Sequence, residues 1–154
     1  MAPGEIENEF PNLKSVPWTA TSLETDDYNC IAYAANDTTR KWDPDASGGR
    51  YWPEGVPPTL ELSSFVKLFE VIGGYSKCQD NDPKLEDHVE KIAIYCNQNP
   101  VLNIVEVSHA ARQLPTGKWT SKLGDWDDIE HDTLAALEGD FYGYVAQIMK
   151  RAAK

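Results

Sequence analysis

The apolar positions of the chain follow two different rhythms. Leu62, Phe65, Val66, Phe69 and Ile72 recur three and four residues apart, which predicts an amphipathic helix. Thr59 caps its start and Gly73-Gly74 ends it. A shorter apolar run, Cys30-Ile31-Ala32-Tyr33-Ala34-Ala35, follows Asp26-Asp27-Tyr28-Asn29 and reads as a second helix. Asp27 or Asn29 caps it and Asn36 stops it, so Cys30 stands in the first turn. Lys91 to Cys96 reads instead as a strand, and Val101 to Leu114 as a longer one after a turn over Asn97 to Pro100. Pro115-Thr116-Gly117 predicts a three-residue hairpin loop, from which Trp119 to Leu123 returns as a third strand. Ile129, Leu134 and Leu137, then Tyr142, Val145, Ile148 and Met149, fit helical spacing and predict two terminal helices.

Two stretches lack a rhythm. Residues 1–27 form a polar, irregular lead-in. Residues 36–58 carry Pro44, Gly48-Gly49, Pro53 and Pro57-Pro58, which exclude a long helix or a central strand. Their aromatics Trp42, Tyr51 and Trp52 predict a loop packed on the body and walling a substrate groove. Helices, then antiparallel strands, then helices define an α+β domain over 1–154, with N-terminal helices packed on an antiparallel sheet.

Composition narrows the partners. A chain of 154 residues is long enough for one core. Its net charge of −11 repels phosphate backbones and anionic membranes, so neither nucleic acid nor membrane is expected, while a basic peptide or protein is admitted. The first residues, Met1 to Glu7, have no basic and apolar segments of a signal peptide. The three cysteines, Cys30, Cys78 and Cys96, are odd in number and widely spaced, which fits a reducing, cytoplasmic setting. No metal or cofactor is expected: zinc and calcium spacings are absent, and the glycine pairs lack a phosphate-loop fingerprint.

Cysteine chemistry remains. A thiolate is favoured at a helix N-terminus and beside an imidazole, and Cys30 meets the first condition. With the three-residue turn, Leu114 pairs with Lys118 and His109 lies opposite Leu123. Alternation then sets Val105, Val107, His109, Ala111, Trp119, Ser121 and Leu123 on one core-facing side, where a covering helix packs. Glu106, Ser108, Arg112, Thr120 and Lys122 form the solvated side. Ser121 is a diagonal neighbour of His109 and suits the third role of a triad. Each assignment has a plainer counterpart. Cys30 and His109 also suit a packed core, Cys96 alternates with Ile92 and Ile94 as a core residue, Cys78 reads as an exposed loop thiol, and His131 as a helix-surface partner of Asp127 and Asp128.

A cysteine opening a helix, a sheet strand carrying a histidine, and a polar residue on the next strand resemble the papain-like cysteine hydrolases, in the compact form of bacterial cell-wall endopeptidases and amidohydrolases. The resemblance implies Cys30 as nucleophile, His109 as base and Ser121 on the orienting residue's strand, acting on an amide, isopeptide or thioester bond of a peptide or protein. Serine departs from the His, Asn, Asp or Gln usual in that third role. Asn29-Cys30-Ile31-Ala32, His109-Ala110-Ala111-Arg112-Gln113-Leu114 and Trp119-Thr120-Ser121-Lys122-Leu123-Gly124 are also similar to an uncharacterised bacterial protein group. A non-catalytic binding or adaptor module for a basic protein is the competing reading.

Overall fold

The computed structural model describes residues 1–153. Its centre is a seven-stranded antiparallel sheet in the order β1-β6-β5-β4-β3-β7-β2. The strands are β1 (Trp18–Ala20), β2 (Ser76–Lys77), β3 (Val89–Asn99), β4 (Ile104–Gln113), β5 (Trp119–Lys122), β6 (Asp128–His131) and β7 (Tyr144–Ala152). Three helices accompany them: α1 (Pro3–Glu9), α2 (Cys30–Ala34) and α3 (Leu62–Gly73). Two short 3-10 turns cover Pro11–Lys14 and Leu134–Leu137. The α+β class and the antiparallel sheet are as the pattern predicts. No helix among the described residues is long and apolar enough to cross a membrane.

Both faces of the sheet are buried. On one, α2 and α3 pack over Ile92, Ile94, Val107, Ala110 and Met149. On the other, Ile6, Phe10 and Leu13 of the lead-in and the turn around Leu134 pack over Ala93, Tyr95, Ala111, Trp119 and Ile148. The lead-in is therefore structured and covers half the core.

Double coverage explains the largest departure from expectation. The two terminal helices do not form; Asp128–His131 and Tyr144–Ala152 are strands. Ile148 and Met149 are both fully buried because consecutive residues of a central strand face opposite layers. An apolar run buried on both sides loses its alternation and so mimics a helix face. The long helix also begins at Leu62 and not at Thr59, after Pro57-Pro58; the Thr59 hydroxyl bonds Ser64 Oγ at 2.6 Å and accepts the N–H of Glu61, the residue before the helix, at 3.3 Å.

Two local features position the site. The β3–β4 register runs Ile94↔Ala110 and Tyr95↔His109, then jumps to Cys96↔Val107, leaving Ser108 as a bulge. The β4–β5 ladder covers only Arg112↔Thr120 and Gln113↔Trp119, so the strands part toward Ala110. The hairpin loop itself is as predicted, with Leu114 N–H donating to Lys118 at 2.8 Å and Gly117 at φ +90°.

Candidate active site

Cys30 opens α2, and Asn29 is its cap. The Asn29 Oδ1 accepts the Ala32 N–H at 3.1 Å. The same side chain ties down the aromatic loop: its Nδ2 donates to the Trp42 carbonyl at 2.7 Å, and Trp42 N–H donates to Oδ1 at 3.1 Å. Cys30 is half-buried and packs with the α2–α3 layer. Burial pushes its thiol up to about 11, although N–H groups of Ala110 and Ile31 and the Lys122 ammonium favour the thiolate. The expected depression of the thiol pKa is thus reversed, because a five-residue helix carries too few aligned dipoles to offset burial. Ala110 N–H is available because β5 has already parted from β4 at this point.

His109 is fully buried, as its apolar side requires, but in the opposite layer from α2. The Ser108 bulge shifts Val107, which packs with α2 and α3, whereas His109 keeps the face of Ala111, Trp119 and Leu123, stacks on Tyr142 at 4.1 Å and meets the Tyr95 ring at 5.3 Å; α2 covers the other face, with Ala110. The expected common face of Val107 and His109 is therefore corrected by one extra residue. Both ring nitrogens are buried without a hydrogen-bond partner among the described residues. Burial, and secondarily the nearby His131, hold its pKa well below the usual range, so the ring is neutral.

Ser121 is fully buried, and its hydroxyl serves the other histidine. Its Oγ lies 2.8 Å from His131 Nε2, while His131 Nδ1 lies 2.8 Å from the Thr133 carbonyl. A carbonyl only accepts, so Nδ1 carries the proton and Ser121 donates to Nε2. Burial lowers the His131 pKa to about 4. His131 is therefore a core residue on β6, not a helix-surface partner of Asp127 and Asp128.

The side expected to be solvated is also covered. Thr120 and Lys122 are buried because α2 lies on them; Tyr33 Oη bonds Thr120 Oγ1 at 2.9 Å, and Arg112 lies over the Tyr33 ring at 5.3 Å. The Lys122 ammonium donates to the carbonyls of Thr25, at 2.7 Å, and Trp126. Beside it, Tyr28 Oη donates to Asp128 Oδ2 at 2.5 Å. Lys122 and His131 were thus hidden behind ordinary surface readings. The signal that tells them apart is β6, whose four residues read as the start of a helix.

The three aromatic residues proposed for the groove wall are held internally. Trp42 is buried, donates from Nε1 to Asp37 at 2.8 Å and meets Tyr51 edge-on at 4.9 Å. Trp52 donates to the Val56 carbonyl at 3.1 Å and packs on Phe65 at 5.2 Å. Cys96 is a core residue as expected, but Cys78 is buried too, its thiol 2.9 Å from Asp80 Oδ1. Among the described residues no group of His, Cys, Asp and Glu is arranged to hold a metal ion.

The chain belongs to the DUF7689 family. The family model, described as a domain of unknown function, matches residues 19–150, from within β1 into β7. No curated protein and no solved structure matches the chain.

Proposed function

We propose that this domain is a papain-like cysteine hydrolase acting on an amide, isopeptide or thioester bond, with Cys30 as nucleophile and His109 as base. The observation that carries the reading is the packing of Cys30, at the capped start of α2, against the cluster that contains Ala110, the residue directly following His109 on β4. A half-buried cysteine at a capped helix start thus stands beside the strand of a histidine whose two ring nitrogens have no hydrogen-bond partner among the described residues. The resting pair is neutral. The reaction requires the His109 ring to leave the opposite layer and reach the sulfur; it then takes the thiol proton as sulfur attacks the carbonyl carbon and delivers it to the departing amine or thiolate. Water hydrolyses the resulting thioester and restores the thiol. Ala110 N–H is a donor for the developing oxyanion once sulfur has moved onto the substrate.

Covalent capture tests this. A peptidyl vinyl sulfone is expected to label Cys30 ahead of Cys78 and Cys96, and the labelling is lost in His109→Gln at an unchanged melting temperature. Equal labelling of the variant, or hydrolysis that survives Cys30→Ala, overturns the assignment.

A second reading, an adaptor without catalysis, is favoured by the thiol held near 11. It expects capture of a basic protein that survives Cys30→Ala and fails in high salt.

A further inference from the structure

The β3–β4 hairpin outruns the rest of the sheet. β7 begins with Tyr144 opposite Cys96, and β5 joins β4 only at Arg112. Residues 97–105 therefore project beyond both neighbouring strands as a two-stranded arm.

The polar side chains of the arm are taken up in bracing it. Asn97 Nδ2 donates to the carbonyls of Asp140, at 2.9 Å, and Phe141, at 3.3 Å. Asn99 Oδ1 accepts the N–H groups of Val101 and Leu102 at 3.0 and 3.1 Å, and its Nδ2 donates to Glu106 at 2.7 Å. Gln98 Nε2 donates to Asn103 Oδ1 at 3.1 Å. The outward surface is left to apolar groups. Val101 at the tip is 88% exposed and Tyr144 at the base 66%, and Leu102, Ile104, Val105 and Phe141 are exposed at the same end of the sheet. At these exposures the six side chains offer roughly 600 Å², the upper end of a monomer's largest apolar patch and near the ~800 Å² that each partner gives to a stable interface.

Charge selects the occupant. Residues 97–105, Asn-Gln-Asn-Pro-Val-Leu-Asn-Ile-Val, are uncharged in a chain with 25 Asp and Glu against 14 Lys and Arg. A basic protein is drawn to the acidic surface elsewhere, and an anionic membrane is repelled by it. A two-fold contact between copies needs a patch complementary to itself. An apolar patch without charge meets that need, and it joins two chains of net charge −11 without setting carboxylates against each other.

We propose that the arm is a homodimer interface, in which Val101 and Leu102 at the tip of one copy pack on Val105 and Tyr144 at the base of the other, and the reverse. The contact uses the same patch on both copies and closes at two. It is made by side chains, leaves the outer strands of the sheet unused, and is independent of any chemistry at Cys30.

Sedimentation equilibrium of the full chain between about 1 and 300 µM tests this, since a patch of this size suits a micromolar dimer. A concentration-dependent dimer is expected. Val101→Lys and Val105→Glu are each expected to weaken it about hundredfold, because the two-fold repeats a roughly tenfold fault. Both positions are exposed, so the melting temperature of the dilute chain is expected to hold. Mixing the two variants restores the dimer, because the mixed pair keeps one apolar contact and sets Lys against Glu in the other. Three results overturn the proposal: a monomer up to about 300 µM, an association that neither substitution weakens, or a mixture no stronger than either variant alone. A monomer that binds phosphatidylcholine vesicles, and loses them in Val101→Lys, gives the arm to a lipid surface instead.

Discussion

Asn29 and Trp42 are joined by two hydrogen bonds, one in each direction, through a single side-chain amide. The same amide oxygen caps the helix that starts with Cys30. One residue therefore fixes both the helix start and the aromatic loop that follows it. Asn29→Ala is expected to lose about 1–2 kcal/mol of stability from the cap alone, with more from freeing the loop. Asn29→Asp keeps the acceptor and loses the donor, so it falls between the two. Urea unfolding measures both; wild-type stability in Asn29→Ala would refute the shared anchor.

The thiol of Cys30 is expected to be slow at neutral pH. With its pKa pushed up to about 11 by burial, the thiolate fraction rises about tenfold for each pH unit below that value. Iodoacetamide modification of the folded chain, followed by peptide mass, reports this. A rate that levels off before pH 8 contradicts the buried, neutral thiol.

Acid should destabilise the fold through its buried histidines. His131 titrates near 4 in the folded chain against 6.5 when free. As the pH falls, the unfolded chain takes up the proton first. The stability from this residue is thus complete above about 6.5, declines below it and is fully lost beneath about 4, a change of about 3 kcal/mol. His109 is shifted in the same direction by burial and adds to the loss. In His131→Gln, stability measured between pH 7 and 4 is expected to lose about one proton's worth of slope. An unchanged slope argues that His131 is solvated.

Gly143 leads into β7 at φ +75°, and a Cβ there meets the Cys96 carbonyl oxygen at 2.0 Å. Backbone cannot step aside as a flexible side chain does. Gly143→Ala is expected to cost more than about 3 kcal/mol and to disturb neighbouring Tyr142, the ring stacked on His109. A melting temperature within a degree or two of wild type is the result that excludes this close approach.

Much of the architecture is legible in the residues themselves. The helix from Leu62, the paired strands around residues 91–113 and the turn at Pro115-Thr116-Gly117 all carry local signals that the structure follows. The C-terminal part is not legible, because Ile148 and Met149 are buried on opposite faces and their apolar run has no period of two. The site is readable only in part. Capping by Asn29 follows from residue type, whereas the Ser108 bulge has no local signature. One uncounted residue parts Val107 from the face of His109, no local signal tells which face α2 covers, and the pairing of Ser121 with His131 requires β6 to be a strand.

The sheet ends on β1, three residues long, and on β2, two residues long. Few unpaired main-chain groups are therefore offered along either outer rim. Chains crowded together have little template for joining sheet to sheet, and growth of the kind that seeds fibrils is blunted at both margins.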